Sequence, residues 1–89
     1  MSLNATAKRV YNVAPDPVRL TFADGETYEF DVESAEFFQD DFQGEATRSD
    51  DPGASYRLIT DGDDLVVGRQ GPDEDGWRTF GVVESAERA

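Results

Sequence analysis

The stretch Val18-Arg19-Leu20-Thr21-Phe22-Ala23-Asp24-Gly25-Glu26-Thr27-Tyr28-Glu29-Phe30-Asp31-Val32 decides the fold class. Val18, Leu20 and Phe22 alternate with Arg19, Thr21 and Ala23, and Tyr28, Phe30 and Val32 alternate with Thr27, Glu29 and Asp31. Strict alternation on either side of Asp24-Gly25 is the pattern of a half-buried β-hairpin, because successive strand side chains point to opposite faces. Parity selects the loop. A two-residue Asp24-Gly25 turn would set Leu20 opposite Glu29 and Phe22 opposite Thr27, mixing apolar and polar side chains on one face. A three-residue loop, Ala23-Asp24-Gly25, sets Leu20 opposite Tyr28 and Val18 opposite Phe30. Its last position is left-handed, where Gly25 carries no Cβ penalty. The three-residue form is therefore expected, since a one-residue slip would expose the whole apolar face.

Downstream, Glu33 to Gly44 reads as a short helix. Ser34 is placed as its N-cap and Gly44 as its stop, and Ala35, Phe38 and Phe42 share one face. Phe37 falls off that face and is read first as a core contact, with an exposed interface aromatic as the alternative. Beyond Glu45 the pattern returns to strands at Tyr56–Thr60, Leu65–Arg69 and Trp77–Val83, separated by turns rich in Asp, Gly and Pro. Hairpin-length loops make this an antiparallel meander. The sequence leaves the register of this second hairpin open: a four-residue loop over Asp61–Asp64 groups Leu58, Leu65 and Val67 on one face and Ile59 and Val66 on the other, in which case both faces need cover. Upstream, residues 1–9 are expected to be flexible, and Val10-Tyr11-Asn12-Val13 to add a strand before Pro15 and Pro17. Residues 84–89 are expected to fray. The fold class is thus mainly β with one short helix: an antiparallel hairpin, the helix, then a three-stranded meander, closing into a small barrel or rolled sheet. With no repeat and no linker, residues 1–89 read as a single domain.

Composition narrows the chemistry. The chain has neither cysteine nor histidine, and its one lysine is Lys8. Thiol catalysis, thiolate metal sites and the commonest general base are therefore missing. No run approaches the ~20 apolar residues of a membrane span; the longest are Leu65-Val66-Val67 and Val82-Val83. The N-terminal segment has no apolar core of the secretory kind. A cytoplasmic protein without a cofactor and without a membrane partner is expected.

Twenty acidic against eight basic residues leave a net charge of −12, and seven of the eight basic residues are arginine. Such a shell repels itself in dilute buffer. At molar salt the Debye length falls to about 3 Å and the penalty is screened. Acidic residues throughout the chain, Arg in place of Lys and few large aliphatics together resemble the composition of haloarchaeal proteins. A halophilic protein most stable at high salt is the expectation. Ten aromatic residues in alternating patterns argue against the rival reading of a disordered chain.

Few constellations remain. Asp61, Asp63 and Asp64 crowd one turn and are weak candidates for a hard cation, without the alternating ligands of a calcium loop. Arg57, Arg69 and Arg78 fall on the three C-terminal strands, where neighbouring strands could gather them on one face beside Trp77 for contact with nucleic acid. The competing reading pairs each arginine with one of the many carboxylates. No serine has an activating partner and no phosphate-cradling loop is present, so no enzymatic activity is expected. The leading expectation is a non-catalytic module for binding or assembly with a protein, or with its own copy as a homodimer. Phe37 and Trp77 are its candidate aromatic contacts. An accessory nucleic-acid role through the arginine-bearing face is the alternative.

Overall fold

In the computed structural model, which describes residues 5–39 and 41–89, the first hairpin has the register that parity requires. Val18 faces Phe30 and Leu20 faces Tyr28. Backbone hydrogen bonds from Phe22 to Glu26 and from Gly25 to Phe22 close the loop over Ala23-Asp24-Gly25, with Gly25 at φ 91°. Five further hydrogen-bonded seams build on this hairpin. A helix, α1 (Ala5–Val13), precedes strands β1 (Val18–Phe22), β2 (Thr27–Phe38), β3 (Asp41–Thr47), β4 (Ser55–Asp61), β5 (Asp64–Gln70) and β6 (Arg78–Arg88). Every seam is antiparallel, and β6 returns to β1, closing the sheet into a barrel. The mainly β class with one short helix is therefore the fold adopted.

The helix stands elsewhere than its sequence position suggested. The described residues of 34–44 belong to the β2–β3 hairpin rather than to a helix, and the chain reverses at Gln39, whose φ is 60°. Phe42, Gly44 and Ala46 point inward in alternation. A bulge between Val32 and Ser34 resets the parity, so that Phe37 pairs with Phe42 across the strands with ring centroids 5.1 Å apart. Phe37 is a core contact, while Phe38 faces outward. Gly44 is not a helix stop. It leaves room for the Phe42 ring, which a Cβ there would meet at 3.2 Å. Strand pairing wins because two aromatics and a β-branched neighbour bury well on a pleated surface, whereas a two-turn helix with three consecutive carboxamide or carboxylate positions has little propensity in its favour.

Among the described residues, regular structure extends further toward both ends than expected. Within residues 1–9, residues 1–4 lie outside the described part; Ala5 onward is helical. Ala7, Val10 and Val13 recur every three residues and are all buried, so Val10–Val13 is the last turn of a helix and not a strand. Ala14 ends it, being disfavoured from helix by the proline that follows. At the other end, β6 runs to Arg88, pairing Ala86 with Leu20 and Arg88 with Val18. Without that pairing β1 would present an open row of backbone donors and acceptors, which is why a weakly apolar segment still forms strand.

The interior is a single cluster. Leu20, Phe30, Tyr56, Leu58, Leu65 and Val67 are fully buried or nearly so, and α1 packs mainly on β6 to place Ala7 and Val10 in the same cluster. The second hairpin resolves to a two-residue turn, Gly62-Asp63, with Leu58 paired to Val67 inside and Ile59 paired to Val66 outside. No helix is long and apolar enough to cross a membrane.

Candidate functional site

Because Tyr56 and Leu58 fill the interior from β4, and Leu65 and Val67 from β5, the intervening Arg57, Ile59, Val66 and Gly68 must face outward. Register then sets Arg57 beside Gly68, Ile59 beside Val66, and Gly68 beside Thr79 of β6. The floor of this outer face is low at Gly68, and the indole of Trp77, one residue before β6, lies across it. A Cβ at Gly68 would stand 3.6 Å from the ring. The result is a shallow groove of about 160 Å³, lined by these residues and Arg78. Ile59 is 41 % and Trp77 37 % exposed, so the groove is open to solvent.

The Arg57 guanidinium carbon sits 4.4 Å from the centre of the Trp77 ring, a stacked cation–π contact worth roughly 0.5–2 kcal/mol depending on its exposure to water. Arg57 Nε is sealed from solvent and has no hydrogen-bond partner. Arg78 reaches Glu74 with its Nε at 2.8 Å and leaves most of its side chain exposed.

A second polar arrangement closes the barrel end away from α1. The Arg48 side chain is only 9 % exposed. Its guanidinium lies 4.2 Å from the centre of the Tyr28 ring and within 5.8 Å of those of Phe30, Tyr56 and Phe80. Its Nε and Nη2 donate in a fork to the two Asp50 oxygens at 2.9 and 2.7 Å, and Nη1 donates to the Tyr56 hydroxyl. Tyr56 in turn donates to Asp51, which also accepts from Arg69 at 2.9 Å; Arg69 continues to Glu74 at 3.1 Å. Hydrogen bonds from Arg69 and then Tyr56 hold the Asp51 carboxyl at about 2, well below its ordinary value. Burial pushes the Tyr56 hydroxyl up. Asp51 is thus a fixed negative charge with its lone pairs committed. Its folded-state value lies below the unfolded one, so its stabilisation is complete above the ordinary carboxylate range and is lost as pH falls through about 2.

The sequence candidates divide between these places. Arg57, Trp77 and Arg78 meet at the groove. Arg69 does not join them, because its parity on β5 matches Leu65 and Val67 and turns it into the barrel end, against Asp51 and Glu74. Phe37 does not line the groove and stands instead against Tyr11 of α1. Asp61, Asp63 and Asp64 are exposed in the β4–β5 turn, and among the described residues no three acidic side chains are grouped to hold an ion. Ile59 and Val66, which in the sequence pose only a burial problem, are the apolar half of the groove. Arg48 carries no signal in the sequence, and Asp51 and Glu74 stand out there only as members of acidic turns.

Fold and groove together define a small closed antiparallel β-barrel with a helix over one end and an arginine–indole groove on its outer wall. The chain belongs to the family described as Domain of unknown function (DUF8072), whose model matches residues 1–89. No curated protein matches it, and no solved structure does.

Proposed function

We propose that this barrel is a non-catalytic protein-binding module of a halophilic cytoplasm, and that its outer β4–β6 face is the docking surface. One observation carries the reading: Trp77 and Ile59, two of the four exposed large apolar side chains among the described residues, stand on one groove together with Arg57. Tryptophan and arginine over a partly apolar floor are the residue types that dominate binding energy at protein interfaces. The nucleic-acid reading has less behind it, since Arg69 is spent on Asp51 and Glu74, leaving two arginines at the face.

Cross-linking capture from the native cytosol in about 2 M KCl tests the reading with Trp77→Ala and Ile59→Asp. A partner protein, or a second copy of the chain, should be recovered with the unaltered protein. Its affinity should fall by roughly thirtyfold with Trp77→Ala, the loss typical of a central interface tryptophan. Capture unchanged in both variants, with far-ultraviolet circular dichroism showing the fold intact, would sink the proposal.

The halophilic setting has its own test. With a net charge of −12, the thermal midpoint should climb by several degrees between about 0.1 M and about 2 M KCl as self-repulsion is screened. A midpoint flat across that range removes the halophilic part of the reading.

A further inference from the structure

Among the described residues, the arginines of the barrel wall and mouth are nearly all committed to carboxylates. Arg19 faces Glu29 and Glu87, Arg48 holds Asp50, Arg69 holds Asp51 and Glu74, Arg78 holds Glu74, and Arg88 holds Asp16. Arg57 alone of this set has no ion pair, in a chain with twenty acidic residues. Its guanidinium is held flat by the Trp77 indole, and its Nε donor is buried without an acceptor. Nε is sealed from the groove, but the terminal guanidinium nitrogens are neither buried nor hydrogen-bonded, so a carboxylate delivered here is favoured by charge and by hydrogen bonding to them. Beside it the groove offers the apolar surface of Ile59 and Val66 and the space that Gly68 leaves.

We infer that the occupant of this groove is an acidic segment of a partner protein: an apolar side chain set against Ile59, Val66 and Trp77, with a neighbouring carboxylate accepting from Arg57. This rests on the protein-binding reading above and adds the chemistry of the partner. The chain's net negative charge opposes the approach of an acidic segment in dilute buffer. At molar salt that long-range repulsion is screened, while a desolvated contact at Arg57 is screened much less. Specificity then resides in the short-range match of carboxylate to guanidinium rather than in steering.

Trp77 is the sole tryptophan, so its emission reports on the groove directly. The test titrates the protein in about 2 M KCl with the capped peptide acetyl-Asp-Phe-Asp-amide and with its isosteric counterpart acetyl-Asn-Phe-Asn-amide. The acidic peptide should give a saturable shift of Trp77 emission at roughly tenfold lower concentration than the amide peptide. Arg57→Gln should erase that preference while leaving the thermal midpoint within a few degrees. Equal affinity for the two peptides, or a preference that survives Arg57→Gln, overturns the inference. So does a single-stranded oligonucleotide that shifts the emission at lower concentration than the acidic peptide. If neither peptide binds yet Ile59→Asp still abolishes capture of a partner, the acidic-segment inference falls and the protein-binding reading stands. If capture is unaffected as well, both fall.

Discussion

Replacing Tyr56 with alanine is expected to destabilise the barrel by about 3–5 kcal/mol, the range for emptying a large aromatic site in a core. That is a large share of what a domain of this size possesses, and the variant should be substantially unfolded at room temperature in dilute buffer. The reason is position. Tyr56 is fully buried, stands edge-on to Phe30 at 5.1 Å and to Phe80 at 5.4 Å, and carries the hydroxyl that joins Arg48 to Asp51. Truncation would leave the Arg48 guanidinium without one wall of its aromatic surround and Asp51 without a donor. Tyr56→Phe separates the two contributions: it keeps the ring and should cost about 1.5–3 kcal/mol, the worth of hydrogen bonding to charged groups. Chemical denaturation of both variants decides the matter. A Tyr56→Ala loss no larger than that of Tyr56→Phe would mean the ring contributes nothing, contrary to its burial.

Gly81→Ala, the gentlest of substitutions elsewhere, is expected to cost about 1–3 kcal/mol by overpacking. On a domain of this length that is about 4–8 °C of thermal midpoint for each kcal/mol. A Cβ at Gly81 would lie 2.7 Å from Cδ2 of Phe22. The ring cannot simply swing aside, because Phe80, Tyr28 and Phe30 surround it with centroids at 5.3, 5.9 and 6.2 Å. Thermal melts of Gly81→Ala, Phe22→Leu and the double variant test the cause. The double variant should be more stable than the sum of the two single losses predicts, since the smaller side chain makes room for the methyl group. Strict additivity would show that Phe22 is not what Gly81 accommodates.

How far the sequence discloses this molecule depends on whether its signals are local. The first hairpin was legible to the residue because parity between Leu20 and Tyr28 involves only fifteen consecutive positions. The second hairpin was legible only in part: Leu58, Leu65 and Val67 suggested one inner face, but Ile59 and Val66 left its register open until the pairing of Asp61 with Asp64 fixed it. The β2–β3 hairpin was not legible. Ala35, Phe38 and Phe42 satisfy a helical spacing, and the bulge after Val32 breaks the alternation that would have announced a strand. In α1 the buried stripe begins at an alanine, so that only Val10 and Val13 stood out as apolar, too few to announce a helical period. The groove was half legible: Arg57, Arg78 and Trp77 follow from strand adjacency. Parity could also have separated Arg69 from Arg57, because once Leu58 and Val67 are placed inside, Arg57 is outside and Arg69 is not. The Arg48–Asp50–Asp51–Tyr56 cluster needs the closed barrel to bring its members together, and nothing local foretells it.

Closure of the ring also dictates when the chain can finish folding. The β1–β6 seam joins Val18 to Arg88, so the contact that completes the barrel has nearly the greatest sequence separation the described chain permits. Loop-closure entropy must be met before that seam returns anything, which places the domain among the slower small folders, on the scale of milliseconds to seconds. During synthesis, β1 to β5 emerge with β1 and β5 each unpaired along one side, and they stay so until Arg78–Arg88 clears the exit tunnel. For that interval the nascent sheet is open and adhesive toward other nascent chains. At the molar salt proposed for this protein its net charge gives little long-range repulsion between such chains, so the speed of that last pairing sets how long the sheet stays adhesive.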